Sequence, residues 1–297
     1  SDIHLQESAK GGSVSLRIRG HLRPLVQLSK ADYLSIKQFI KLECGLDLSL
    51  AQHPQDGHLS WDYEGKQMDV RSSIFPTIHG ESIVCRLFGQ TICCQCLTDL
   101  GFSLEQQTLI ESMCDQRSGL ILVTGPTGSG KTTTLYTLLR YLQTHARGLI
   151  VTLEDPVENQ LHGIRQSTIR PEKGYGFAEG LKAVLRQDPD VIMLGEIRDS
   201  HTANIALEAA YTGHLVLASL HTQNIHATLL RLKHFGCDPF LCQYALNGII
   251  AQQLPPASPT KTRVLNQEIL ALHSQDTPCL FSCSDMRQLG AYMPFNP

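Results

Sequence analysis

The sequence predicts an α/β protein built on a doubly wound parallel sheet, with a smaller α/β module ahead of it. Three observations lead there. Four short runs at 120–124, 149–153, 191–194 and 215–220 are apolar almost throughout and too short for helices. That is how a parallel strand reads when both faces of its sheet are covered. Helical segments separate the runs; in 177–187, Phe177, Leu181, Val184 and Leu185 form a single stripe. Finally, each run ends in polar chemistry: a glycine loop from Gly125, then Glu154-Asp155, Gly195-Glu196 and His221. Parallel strands deliver all four ends to one edge, where open α/β sheets bind ligands.

At 297 residues the chain suggests about two domains. It is 42% hydrophobic and 18% charged, an ordinary globular composition. The 25 basic residues against 28 acidic ones leave a net charge of −3, which argues against a protein that coats nucleic acid. No run approaches the ~18 apolar residues of a membrane span. Ser1-Asp2-Ile3-His4 opens no secretory signal and no initiator Met is present, so residues are expected upstream. The ten cysteines read as reduced apolar filler. Cys93, Cys94 and Cys96 are too tightly spaced for a zinc pair, and Cys237/Cys242 with Cys279/Cys283 form only a loose candidate set.

In order, residues 1–89 read as a small α/β, PAS-like domain. Residues 14–19 alternate as a half-buried strand, 34–42 carry helical spacing, and Cys44-Gly45 stops that helix. Gln55-Asp56-Gly57 reads as a turn before a strand at 59–61, with further strands at 68–74 and 83–88. Residues 90–98 read as a linker, 99–254 as the nucleotide-binding domain, and 255–297 as a C-terminal extension. In the extension, Pro255 to Pro259 breaks regular structure and a short strand is expected near 264–272.

The edge chemistry is specific. Gly125, Pro126, Thr127, Gly128, Ser129, Gly130, Lys131 and Thr132 match G-x4-G-K-[ST] between a buried strand and a helix that begins at Thr133. Such a loop turns its backbone N–H groups around phosphates and aims a helix N-terminus at them. Lys131 then serves the β/γ-phosphates and Thr132 joins a Mg²⁺ shell. Glu196 ends an apolar strand and can share that shell. Among Glu154, Asp155 and Glu158, Glu154 lies nearest a strand end and is the first choice for the base that activates water. His221, and with less support His214, could sense a γ-phosphate. Arg17, Arg71 and Arg86 sit on strands of the first module and read, taken alone, as surface arginines.

Seven motifs occur in order: Ser1-Asp2-Ile3-His4; Pro76-Thr77-Ile78-His79-Gly80-Glu81; the glycine loop; Glu154-Asp155-Pro156-Val157-Glu158; Leu185-Arg186-Gln187-Asp188-Pro189-Asp190; Gly195-Glu196-Ile197-Arg198-Asp199; and Thr212-Gly213-His214 through His221-Thr222. Together they closely resemble the type II secretion and type IV pilus assembly ATPases over residues 1–254. The resemblance implies a RecA-like P-loop domain and a ring, usually a homohexamer, that hydrolyses Mg-ATP (cofactors ATP and Mg²⁺) between subunits. It names 154–158 the Asp box, Glu196 the Walker B acid and His214/His221 the His box. It also gives Arg17, Arg71 and Arg86 a place at the nucleotide. It implies a cytoplasmic protein on the inner face of the cell membrane, partnered by an inner-membrane platform protein, with no direct nucleic-acid binding. The chain lacks a C-x2-C…C-x2-C segment and carries Gln253 where the family usually has Arg. A short chain of that kind looks like the ComG-type competence ATPases, which build a pseudopilus for DNA uptake. The alternatives are an ATP-binding scaffold with little turnover, a pilus retraction motor and a DNA translocase.

Overall fold

The computed structural model of the chain describes residues 2–18, 21–63, 66–88, 96–254, 266–272 and 291–293. It divides into two compact units, the first reaching Thr91 and the second beginning at Ile92.

The first unit is one antiparallel sheet with one helix on it. Its elements are β1 (Asp2–Ser8), β2 (Gly11–Ile18), β3 (His21–Leu28), α1 (Lys30–Glu43), β4 (Gln55–Tyr63), β5 (Lys66–Thr77) and β6 (Gly80–Phe88), in sheet order β3-β2-β1-β6-β5-β4. Ser29 caps α1 by accepting from the Asp32 N–H. Its C-terminus closes as a Schellman motif: Gly45 donates to the Leu42 carbonyl and Leu46 to that of Lys41. One face of α1 packs Tyr33, Ile36 and Ile40 onto Leu5, Val14, Ile74 and Ile83. The same interface buries charge. Lys41 Nζ lies 2.9 Å from Glu81 Oε1, and Lys37 reaches Glu81 at 3.3 Å and Glu7 at 3.0 Å. The Tyr33 hydroxyl donates to the Glu81 carbonyl.

The expected turn at Gln55-Asp56-Gly57 is instead the start of β4. Gly57 is needed there for close approach: a Cβ would stand 2.6 Å from that of Cys44. The sequence pattern does not predict strands β1 and β3. Of the expected linker at 90–98, residues 97 and 98 open a short 3-10 turn (Leu97–Leu100) flanked by Cys96 and Gly101, and 90–95 lie outside the described residues.

The second unit holds α2 (Leu104–Cys114), β7 (Gly119–Thr124), α3 (Lys131–Thr144), β8 (Ile150–Glu154), β9 (Arg165–Thr168), α4 (Phe177–Val184), β10 (Val191–Leu194), α5 (Ser200–Tyr211), β11 (Leu215–Leu220), α6 (Ile225–His234), α7 (Pro239–Ala245), β12 (Leu246–Gln253), β13 (Asn266–Ala271) and β14 (Ala291–Met293). The sheet order is β14-β13-β12-β7-β11-β10-β8-β9, with every pair from β12 to β9 parallel. The four expected strands are the four that bear the edge chemistry. All of β7, β8, β10 and β11 is buried, with apolar clusters on both faces of the sheet.

Helix α3 begins Lys-Thr-Thr-Thr, a poor helix start because β-branched side chains lose rotamer freedom. Packing holds it: Leu135, Leu138, Leu139 and Leu142 are fully buried, each contributing about 1.5–3 kcal/mol. The expected helix at 177–187 ends at Val184 and continues as a 3-10 turn to Gln187. Strand β13 falls where a strand was expected, but it pairs with β12, and β14 pairs with β13, so both extend the same sheet. The 255–259 segment and Cys93, Cys94, Cys279 and Cys283 lie outside the described residues.

Candidate functional site

The site lies at the C-terminal edge of the parallel sheet, and strand order sets its layout. Next to β7 come β11, β10 and β8. At about 4.8 Å per strand, the strand ends bearing His221, Glu196 and Glu154 stand roughly 5, 10 and 14 Å from β7.

Between β7 and α3 the loop 125–130 turns on glycines with positive φ, among them Gly128 at +78° and Gly130 at +93°. A Cβ at Gly128 would meet open space, so backbone geometry is what selects glycine there. Among the described residues no side chain caps α3, and its first turn holds no acid, so its N–H groups and positive dipole end face outward for an anion. Ser129 Oγ is buried and has no hydrogen-bond partner among the described residues. Gln252 on β12 pins the loop from below: its Nε2 donates to the Ser129 carbonyl at 2.7 Å, and its Oε1 accepts from Thr134 Oγ1 at 2.9 Å. An uncapped helix start, an orphaned hydroxyl and left-handed glycines together fit a polyphosphate.

Lys131 is 8% exposed. Its ammonium donates to the carbonyls of Gly125 (2.9 Å) and Pro126 (3.1 Å) and faces His221 Nδ1 at 3.4 Å. Burial lowers its pKa to about 8, partly opposed by the charge of Glu196. His221 bridges Lys131 and Glu196, its Nε2 lying 3.2 Å from Glu196 Oε2. An ammonium can only donate and a carboxylate can only accept, so these two neighbours select the tautomer with the proton on Nε2. Glu196 also accepts from Arg198, whose Nη2 is 3.4 Å from Asp155 Oδ2. Thr132 and Thr133, half-buried, open α3. The residues with the right chemistry for Mg²⁺ are the Thr132 hydroxyl and the Glu196 carboxylate, hard oxygen donors beside a phosphate cradle.

Glu154 is brought to the same edge but is sealed in. It is 3% exposed, and its carboxylate accepts from the Tyr136 hydroxyl, Thr152 Oγ1 and Gln166 Nε2. His214 is not brought to the edge. It precedes β11, level with the start of β7, and its Nδ1 faces the Ala209 carbonyl at 3.0 Å. At about 3.3 Å per residue it stands roughly 20 Å from His221, because two histidines that flank one strand lie at opposite edges of a sheet.

In the first unit, Arg17, Arg86 and Arg71 form one row. Register pairs run Arg17–Asp2, Asp2–Arg86 and Arg86–Arg71 across β2, β1, β6 and β5, on the face opposite α1. Arg86 Nε donates to Asp2 Oδ1 at 2.9 Å, which helps hold that carboxyl below its usual range against the opposing effect of burial.

Sequence reasoning missed Tyr136, Arg198, Gln166 and Gln252. Arg198 lies in the Gly195–Asp199 motif, two residues after a strand-end acid, and that spacing is a usable signal. Tyr136 reads as one more apolar residue of a core stripe, and Gln252 as a polar interruption of a strand.

A parallel sheet, a glycine loop that opens a helix and an acid on a neighbouring strand end define a P-loop nucleotide-binding protein of the RecA-like class. The profile of the family described as Type II/IV secretion system protein matches residues 1–292, and the chain belongs to that family. It is 41% identical over 254 residues to the type II secretion system ATPase E of Vibrio cholerae, covering 86% of this chain and 50% of that protein. The chain thus spans about half the length of the curated relatives it matches. Among solved structures it is similar to the ATPase DotB of Legionella pneumophila (TM-score 0.76, 24% identity, 91% of this chain and 76% of that one). It is also similar to the pilus retraction motor PilT solved with bound ADP (TM-score 0.66, 29% identity, 91% and 79%).

Proposed function

We propose that this protein hydrolyses Mg-ATP as a ring-forming motor that builds a type IV pilus-like or type II secretion filament at the cytoplasmic face of the inner membrane. The observation that carries this is the buried Lys131 ammonium. It sits on loop carbonyls beside an uncapped helix start, with Glu196 and His221 next to it. The glycine loop and the N-terminus of α3 bind the triphosphate, and Lys131 neutralises its outer charges. Thr132 and Glu196 would hold Mg²⁺, which supplies charge neutralisation at the β/γ-oxygens when bound. Glu196, on the strand nearer the loop, orients the attacking water, and His221 carries a donor toward it. Glu154 is spoken for by three donors and anchors the acidic segment instead.

The arginine row supports a composite site, in which Arg17, Arg71 and Arg86 of one subunit stabilise phosphate charge in the next, as in a homohexameric ring. No helix among the described residues is long and apolar enough to cross a membrane. In this reading the motor acts on a platform protein in the membrane. The lack of a C-x2-C…C-x2-C pattern favours the competence branch of pseudopilus builders as the finer assignment.

The test is ATP turnover against protein concentration. The specific rate rises and then levels off as subunits complete one another's sites. Lys131→Ala lowers it by roughly 10²–10³-fold, the loss expected when a preorganised charge donor is removed. Glu196→Gln is more damaging than Glu154→Gln. Binding of ATP with no turnover above Lys131→Ala would replace the motor by a scaffold.

A further inference from the structure

Tyr136 lies on α3, five residues beyond Lys131, and is fully buried. A phenolic hydroxyl can donate once and accept twice. Here all three positions are used: it donates to Glu154 Oε2 and accepts the backbone N–H groups of Glu158 (3.3 Å) and Asn159 (3.4 Å). One atom therefore ties together the helix that starts with Lys131 and Thr132, the carboxylate at the end of β8, and the backbone of the acidic segment. The other carboxylate oxygen is held by Thr152 and Gln166, and Gln166 also donates to the Asn159 carbonyl and accepts from the Leu161 N–H. The knot closes on itself, with Glu154 at its centre. Burial and the neighbouring carboxylate push the phenol well above its usual range, so its proton stays in place as a donor.

We infer that Tyr136 is a positioning residue for nucleotide hydrolysis, acting through Glu154 to fix the acidic segment, and Asp155 with it, against the phosphate-loop helix. This rests on the hydrolytic reading above. Asp155 is the outward link, since it meets Arg198, which in turn holds Glu196. The chain from Tyr136 to Glu196 thus runs Tyr136, Glu154, Asp155, Arg198, Glu196, and each link is a contact or a peptide bond.

The experiment is a double-mutant cycle on the full chain. Tyr136→Phe keeps the ring and its packing and removes only the knot's shared atom. We expect kcat to fall about tenfold or more, with KM for ATP and the dissociation constant for a fluorescent ATP analogue, measured without Mg²⁺, both within about threefold of wild type. In a Glu154→Gln background the same change costs less than about threefold in kcat, because the two act as a unit. A merely structural tyrosine would lower stability and nucleotide affinity together, and its effect would add to that of Glu154→Gln. Wild-type kcat in Tyr136→Phe, or additive losses, overturns the proposal while leaving the hydrolytic reading intact. Absence of wild-type turnover above Lys131→Ala overturns both. If Tyr136→Phe does not fold, Thr152→Val, which strips a donor from the other carboxylate oxygen, decides by the same cycle.

Discussion

Among the described residues each unit of this protein buries one lysine, and the two are treated in opposite ways. Lys41 in the antiparallel unit is 2% exposed and touches Glu81 at 2.9 Å, with Lys37 and Glu7 completing a closed charge cluster. Lys131 in the parallel unit is 8% exposed, and its ammonium rests on carbonyl oxygens. Among the described residues, no carboxylate lies within ion-pair distance of it. A buried charge with its counter-charge built in holds a helix to a sheet. A buried charge without one raises the energy of its site, and an incoming anion relieves that cost. The contrast separates a lysine paired within the fold from the one that the proposed function assigns to the phosphates, without reference to any motif.

The contrast can be broken at its strong end first. Glu81→Gln strips Lys41 and Lys37 of their shared carboxylate, and removing one member of a buried pair costs about 3–5 kcal/mol. The loss falls on the antiparallel unit, so hydrogen exchange should rise across β1, β6 and α1 while β7 and β11 stay protected. Uniform loss of protection over both units would mean that the cluster does not act locally. Lys131→Met probes the other end. Replacing an uncompensated buried charge by an apolar side chain of similar length leaves stability unchanged or raises it by up to about 2 kcal/mol, although nucleotide binding suffers. Denaturant melting checks this, and a drop of more than about 1 kcal/mol would show that the carbonyl contacts hold the loop up.

The smallest effect is a proton. With its pKa near 8, Lys131 is partly neutral at pH 8.5. Phosphates favour the charged form and raise that pKa, so ATP binding at pH 8.5 takes up a fraction of a proton, and affinity falls as pH climbs past 8. Calorimetry in buffers of different ionisation enthalpy reads the uptake. Equal apparent enthalpies in all buffers would mean that Lys131 stays charged throughout.

What the sequence reveals follows the same division. Strands covered on both faces betray themselves as apolar runs, and β7, β8, β10 and β11 are each legible. The phosphate loop and the strand-end Glu196 come with them, because a motif between a readable strand and a readable helix has its geometry given. Strand β3 sits at a sheet edge, exposed along seven of its eight residues, so no alternation marks it. Strand β12 is buried but carries Asn247 and Gln252, whose side chains bond the Ser118 and Ser129 carbonyls, and the polar letters conceal it. The role of Tyr136 is invisible for a related reason. Its ring obeys the helix period, and its hydroxyl is satisfied by groups 18 to 23 residues away. His214 misled because order along the chain says nothing of which edge of a sheet a residue occupies.

The hairpin of β12 and β13 touches the site twice. Gln252 on one arm grips the phosphate loop, and Glu268 on the other accepts the N–H of Ile225, four residues after His221. The place where the nucleotide-binding motifs run out, near Leu254, is therefore not the place where their support ends. A fragment trimmed at that point would keep every recognisable letter and lose one jaw of the vice that holds them, so the mechanical boundary of this domain lies beyond its textual one.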